Sequence, residues 1–344
     1  MEIYKLSFDG GVEKISALPL NARLVCAFGC FDGVHIGHRA LLSSAVADAE
    51  RLNSVGGAVA GGCEYVPVVW TFSEPVSVPW VISVSERLSY CGRCGIKYAL
   101  CQRFEDVRTL SPEKFVEGLV SEYGVRHAVC GFNFRFGYKG EGDPARLERC
   151  LGRSLERLRA ASEGMERCVD SVDGERLVTV VGKVCALGDV VSSTRIRALL
   201  MNGEMESASV LLGRGYSLSG TIVAGKQIGR TISRPTANLV YSPDQLIPKR
   251  GVYFTYCRVK GKMYRAVTNV GYRPTVNSDP ASVTCEAHLL DFSESVYGER
   301  AEIIFVHYHR AEMAFSSVDE LSEKISDDVR RAVEYFDNEC LLER

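Results

Sequence analysis

The chain has 344 residues, enough for two ordinary domains, with 46% apolar and 24% charged residues, the profile of a globular protein that buries real cores. A formal net charge of −2 gives no basic field of the kind that nucleic-acid or membrane-surface binders need, so neither partner class is expected. The thirteen cysteines follow no regular framework and no apolar signal core follows the first residues, so a reduced, cytoplasmic protein without a membrane span is expected.

In chain order, Arg23–Phe28 is a compact apolar run that reads as a buried strand. A glycine-containing loop follows over 29–37. Residues 40–52 place Leu41, Leu42, Ala45, Val46, Ala49 and Leu52 on one helical face. Further apolar runs stand at Val66–Phe72, Tyr98–Cys101, His127–Gly131 and Leu177–Val181, with a helical segment at Ser111–Val120. This alternation predicts a Rossmann-like parallel sheet covered by helices, binding ligands at the carboxyl ends of its strands. Residues 53–62 and 160–174 read as surface excursions. Cys91-Gly-Arg-Cys94 is a lone C-x-x-C pair, read as two faces of a short helix rather than a metal or redox site.

After about residue 206 the pattern changes. Tyr216–Val223, Gly251–Val259, Tyr264–Val270, Thr284–Phe292 and Ala301–Tyr308 are β-rich and separated by turn residues, which suggests an antiparallel barrel or sandwich. An amphipathic helix closes the chain, opened by Ser317-Val-Asp-Glu320 in the pattern of a capping box. The expected domains are therefore 1–205 and 206–344.

Phe28-Gly-Cys-Phe-Asp-Gly-Val-His-Ile-Gly-His38 is the most informative stretch. Gly29, Phe31, Asp32 and Gly37 belong to a strand-to-helix loop of the phosphate-binding kind, where free N–H groups and the helix dipole attract anions. His35 and His38 add hydrogen bonds to a phosphate whose charge rearranges, which implies nucleotidyl transfer. Ser192, Ser193, Thr194, Arg195 and Arg197 form a second segment, readable as a capped helix with solvated arginines or as a phosphate clamp. In Gly131-Phe-Asn-Phe-Arg-Phe-Gly137 the aromatics suit a core, while Asn133 and Arg135 point the other way on an extended chain.

Gly213–Gly229 holds five glycines in seventeen residues, including Gly225 beside Lys226, which suits close backbone approach to phosphates without matching a Walker A loop. Thr236 and Asn238 share one side of an extended chain, where hard oxygen ligands suit Mg²⁺ held with ATP. Glycine-rich hairpin turns are the competing account. Glu286 stands in a strand otherwise rich in apolar residues, where a carboxylate needs a partner or a task; accepting the proton of an attacking alcohol is one, and a surface position on an edge strand is the alternative.

Together these motifs, in this order over nearly the whole chain, resemble the bacterial bifunctional riboflavin kinase/FMN adenylyltransferases, also called FAD synthetases. The resemblance implies a nucleotidyltransferase domain followed by a riboflavin kinase-like six-stranded Greek-key barrel with a trailing helix. It implies that His35, His38, Asn133 and Ser192–Arg197 serve AMP transfer from ATP to FMN, with Mg²⁺ on the triphosphate. It further implies that Thr236 and Asn238 hold Mg-ATP and that Glu286 activates the ribityl 5′-hydroxyl. Riboflavin, FMN and ATP are the implied partners, and no stable protein partner is evident. The chain departs from the family at Thr71–Pro79, which lacks the usual histidine between two prolines, and at Asn133, where many relatives have Asp. A kinase with a degenerate first domain, a flavin-sensing binding protein without turnover, and a nucleotidyltransferase for another acceptor are the rival readings.

Overall fold

A computed structural model of the chain describes residues 1–19, 22–55, 64–75, 79–161, 176–223, 237–272, 283–292 and 294–342. The chain divides into two compact units, Met1–Val191 and Ser192–Arg344.

The first unit is built on a seven-stranded sheet. Its parallel strands are β3 (Ala22–Phe28), β4 (Glu64–Phe72), β5 (Tyr98–Gln102), β6 (Val125–Gly131) and β7 (Val178–Val181). A hairpin of β1 (Glu2–Leu6) and β2 (Val12–Ile15) extends one edge, with β1 antiparallel to β5. The order β2-β1-β5-β4-β3-β6-β7 reverses direction between β3 and β6. That switch point, beyond the carboxyl ends of β3 and β6, is the place where such sheets bind ligands. Strand β3 is buried along almost its whole length, as expected of a parallel strand covered on both faces.

Helices α1 (Ile36–Val55), α2 (Val84–Arg93), α3 (Phe104–Val107), α4 (Pro112–Tyr123) and α5 (Pro144–Ala161) make the connections. Helix α4 starts on a Ser111 cap with Pro112 in its first turn and stops at Gly124 in the left-handed region (φ 74°). One side of the sheet packs Phe28 and Trp70 against Phe115, Phe134 and Phe136. A two-residue hairpin, β8 (Cys185–Ala186) with β9 (Asp189–Val190), follows β7.

The expected strands recur within about two residues. The predicted excursions open as helix, because α1 runs on to Val55 and α5 to Ala161; their remaining residues lie outside those described. Cys91 is buried on α2 and Cys94 caps its end, neither in a disulfide, and the described residues hold no group of three or more His, Cys, Asp or Glu side chains placed to bind a metal ion. Among the described residues no helix is long and apolar enough to cross a membrane.

The second unit opens with α6 (Ser193–Asn202) and α7 (Met205–Leu212), whereas the sequence changes its pattern nearer residue 206. It then closes a six-stranded antiparallel barrel in the order β10-β11-β14-β13-β12-β15. These strands are β10 (Tyr216–Val223), β11 (Ala237–Tyr241), β12 (Gly251–Val259), β13 (Lys262–Tyr272), β14 (Val283–Leu289) and β15 (Arg300–Arg310). Closure removes the free edges that a sandwich would have to protect. Tyr216, Tyr253 and Phe305 fill the interior, where the Thr255 and Thr268 hydroxyls hydrogen-bond each other at 2.7 Å.

Helix α8 (Val318–Leu342) lays Ala332 and Phe336 on the outer face of the barrel, over Phe254 and Val267. Asp328 of α8, nearly inaccessible, accepts Arg310 Nε at 2.9 Å and Nη2 at 2.6 Å. The expected capping box is displaced by one residue on one side. The Ser317 hydroxyl does accept from the Glu320 N–H, but the Glu320 carboxylate takes the N–H and hydroxyl of Ser316.

Candidate functional sites

In the first unit the chain leaves β3 through Gly29 and Cys30 and enters α1 at Ile36. Phe31 (φ 51°), Gly33 (φ 83°) and Val34 (φ 39°) all lie in the left-handed region. For a β-branched residue such as Val34 this conformation costs of order 1–3 kcal/mol and persists only where surroundings over-determine it. The surroundings here are dense, since Phe31 and Val34 are both fully buried. The buried Asp32 carboxylate accepts the Val81 N–H at 2.7 Å, tying this loop to the segment before α2.

The loop's outcome is a pair of stacked imidazoles. The rings of His35 and His38 lie 3.6 Å apart at 15°, with Phe31 beside His38 at 5.3 Å. His35 also caps α1: its Nδ1 accepts the His38 N–H at 3.2 Å while its carbonyl accepts the Arg39 N–H at 2.9 Å. Accepting at Nδ1 places the proton of a neutral His35 on Nε2. Burial first, then the neighbouring His35 and the Arg87 charge, hold the His38 imidazole well below the usual histidine value. His38 Nδ1 is buried with no hydrogen-bond partner. His38 is thus a neutral hydrogen-bonding group stacked on His35 at a helix start. Glycine leaves close approach at two points: a Cβ on Gly37 would stand 3.2 Å from the His35 ring, and one on Gly29 3.1 Å from the Phe31 ring, so each ring would have to shift by a few tenths of an ångström.

Phe28 pairs with Cys130 across β3 and β6, so Gly131–Asn133 emerges beside the histidine loop. A Cβ on Gly131 would meet Asn133 Oδ1 at 3.5 Å and Leu41 of α1 at 4.0 Å. The structure corrects the extended reading of this stretch. The Phe134 N–H bonds to the Gly131 carbonyl at 3.0 Å, making a turn that exposes Phe132, Asn133 and Arg135. Phe134 and Phe136 alone of these aromatics join the core. Two cations missed in the sequence sit near this end of the sheet. Lys183 lies 5.4 Å from the Phe132 ring. Arg87, fully buried on α2, donates to the carbonyl of Cys30 at 2.9 Å and to that of Phe72. Its place beside Leu88 and four residues before Cys91 on the buried face of α2 was the available signal.

Ser192–Arg197 belongs to the second unit. The Ser192 hydroxyl accepts the Arg195 N–H at 3.2 Å and caps α6. Ser193 is half-buried, Thr194 exposed, and Arg195 and Arg197 flank the buried Ile196.

In the barrel, Glu286 of β14 is paired in register with Asn238 of β11 on one side and Asn269 of β13 on the other. Strand β14 is internal, so the edge-strand account of Glu286 does not hold. Its neighbours Cys285 and Ala287 are buried inside the barrel, so Asn238, Glu286 and Asn269 form a row across the outer face. Asn238 is nonetheless buried, and its Oδ1 has no hydrogen-bond partner. Beyond the row, a Cβ on Gly271 would meet Glu312 Oε1 at 1.9 Å and Asn269 Nδ2 at 3.0 Å, which places a second carboxylate next to it. Gly225, Lys226 and Thr236 lie outside the described residues.

The family model for FAD synthetase matches residues 18–172, and that for riboflavin kinase matches residues 212–336. The bifunctional riboflavin kinase/FMN adenylyltransferase of Bacillus subtilis (strain 168) is 31% identical over 319 residues, covering 92% of this chain and 94% of that protein. The protein of that name from Escherichia coli (strain K12) is 31% identical over 338 residues, covering 95% and 96%. In fold the chain is similar to a crystal structure described as a macrolide-efflux protein from Streptococcus pneumoniae, at TM-score 0.73 and 25% identity over 92% of this chain and 95% of that one. Matched by both models and by full-length relatives, the chain belongs to the bifunctional riboflavin kinase/FMN adenylyltransferase family.

Proposed function

We propose that the chain phosphorylates riboflavin to FMN on its barrel and adenylylates FMN to FAD on its sheet domain, using ATP in both steps. The observation that carries this reading is the in-register row Asn238–Glu286–Asn269 in the same polypeptide as the stacked His35–His38 pair.

In the kinase step, Glu286 accepts the proton of the ribityl 5′-hydroxyl as its oxygen attacks the γ-phosphorus of ATP, and ADP leaves. Asn238 and Asn269 flank Glu286 in register on its two neighbouring strands. The buried, unpartnered Asn238 Oδ1 fits a ligand of a hard cation, and Thr236 is its proposed companion. Bound there, Mg²⁺ would neutralise charge on the ATP phosphates. Gly225 and Lys226 are assigned to the same nucleotide.

In the adenylyl step, a phosphate oxygen of FMN attacks the α-phosphorus of ATP and pyrophosphate leaves. Gly29, Phe31, Asp32 and Gly37 shape the loop, and His35 and His38 hydrogen-bond the phosphate oxygens as charge shifts onto them. Asn133 is assigned to the same step, as are Ser192, Ser193, Thr194, Arg195 and Arg197 by their match to the family's motif. On this reading the functional division falls near residue 205.

Chromatography of products from riboflavin, ATP and Mg²⁺ tests the proposal. Glu286→Gln is expected to lose FMN formation while still converting supplied FMN to FAD, and His38→Ala to do the reverse. FMN accumulating without FAD in the unaltered protein would reduce the function to the kinase. Loss of both activities from either single change in a folded protein would refute the division of labour.

A further inference from the structure

Arg87 is the largest fully buried side chain among the described residues, yet no carboxylate is hydrogen-bonded to it. Removing a guanidinium from water without a paired anion costs several kcal/mol. Its compensation comes from two backbone carbonyls, the Trp80 ring 4.2 Å from its Cζ, and the charge of Asp32 nearby. Its Nε has no hydrogen-bond partner.

The two carbonyls locate its task. Phe72 is the last residue of β4, and Cys30 is the second residue beyond β3 on the way to His35 and His38. The Cys30 carbonyl is held from two directions, by Arg87 Nη1 at 2.9 Å and by Thr71 Oγ1 at 3.0 Å. Immediately afterwards the backbone enters its left-handed run at Phe31, Gly33 and Val34. A conformation so disfavoured needs fixed ends, and Arg87 supplies one of them.

We infer that Arg87 is a positioning residue for adenylyl transfer: its guanidinium locks the carboxyl ends of β3 and β4 together and so fixes the loop that presents His35 and His38. This rests on the reading of that loop as the site of AMP transfer. The buried cation, bonded to the Cys30 carbonyl, adds positive potential at the start of the loop. Of the groups near His38, the ring of His35 and the charge of Arg87 both oppose its protonation.

The test uses full-length protein carrying Arg87→Gln or Arg87→Lys, assayed for FMN to FAD and, as an internal control in the other unit, for riboflavin to FMN. Displacing reacting groups by about 1 Å costs about 100-fold, so Arg87→Gln should lose about that much kcat for FAD formation. The KM for ATP and the kinase rate should change less than threefold. Loss of one positive charge lets His38 protonate more readily, so the acid limb of FAD formation should move to higher pH. Arg87→Lys keeps the charge but spans one carbonyl, so it should lose about tenfold with the acid limb in place. It also serves if Arg87→Gln does not fold, as judged by circular dichroism.

FAD formation within threefold of the unaltered protein, a loss confined to KM, or an equal loss of both activities would each overturn the assignment. His38→Ala separates this from the underlying reading. Full FAD formation there refutes the histidine-loop site itself, whereas its loss beside an unaffected Arg87→Gln refutes only the role of Arg87.

Discussion

Gly37→Ala separates what the histidine loop contributes to chemistry from what it contributes to stability. Gly37 lies in the first turn of α1, where alanine favours the helix over glycine by about 0.5–1 kcal/mol. Against this, the new Cβ would lie 3.2 Å from both Cε1 and Nδ1 of His35, so the ring must give by a few tenths of an ångström. The bond from the His38 N–H to that Nδ1 is already long at 3.2 Å, and its loss costs about 0.5–1.5 kcal/mol. The two effects nearly cancel, so the melting temperature of the first unit should move by less than about 5 °C. Activity has no such compensation. If 1 Å of misplacement costs about 100-fold, a shift of roughly half that size costs about tenfold in FAD formation. The assay is kcat for FMN to FAD, with riboflavin phosphorylation as internal standard and Trp fluorescence for melting, since Trp70 and Trp80 both lie in the first unit. An unchanged FAD rate would show that the placement of His35 does not matter. A melting temperature lowered by 10 °C or more would show that the stacked pair is chiefly structural.

Three further outcomes are expected. Asp328→Asn breaks the buried bridge to Arg310, whose side chains are 3% and 17% exposed, at a cost of about 3–5 kcal/mol; in urea, circular dichroism should then show the second unit unfolding ahead of the Trp signal of the first. Asn238→Leu removes the unpartnered oxygen and should cut riboflavin phosphorylation at least about 100-fold without affecting FAD formation from FMN, measured on one preparation. The buried His127, held below its usual 6.5 chiefly by burial with Asp48 opposing, binds fewer protons folded than unfolded. Its contribution is therefore intact above 6.5 and is lost as pH falls, by up to about 1.4 kcal/mol per unit until its folded value is reached; an equal urea midpoint by Trp fluorescence at pH 7.5 and 5.5 would refute this.

What the sequence revealed followed from how locally each feature is encoded. The parallel strands were legible because full burial demands continuous apolar runs, as at Arg23–Phe28. The barrel strands were legible from turn residues between β-rich segments, except β11, whose Ala237–Tyr241 was read only as a ligand-bearing stretch. The hairpin of β1 and β2 escaped because its strands are short, β1 mostly half-buried and β2 mostly exposed, with no apolar alternation. The pairing of Glu286 with Asn238 and Asn269 depends on register among strands far apart in sequence, which no local pattern specifies. The histidine loop was visible through spacing alone. Its supports were not: the one signal for Arg87, its place on the apolar face of α2 with Leu88 and Cys91, does not say which loop it holds.

The two proposed sites differ in the residue types they employ, and the protonation of their nucleophiles accounts for the difference. A ribityl hydroxyl carries a proton that must leave as its oxygen attacks phosphorus, so the barrel needs a base, and Glu286 is set between two amides that cannot themselves take the proton. The phosphate of FMN, with a second pKa of about 6, is already largely a dianion at neutral pH and needs no base. A carboxylate facing it would repel it. In the histidine loop the acid, Asp32, accepts the Val81 N–H at its Oδ1, and imidazoles at a helix start, His38 held neutral by burial, are the groups proposed to meet the phosphates. An acid introduced at His38 should therefore impair AMP transfer more than alanine does, because it adds repulsion to the lost hydrogen bond. Equal rates for His38→Glu and His38→Ala would remove charge from the explanation and leave only shape.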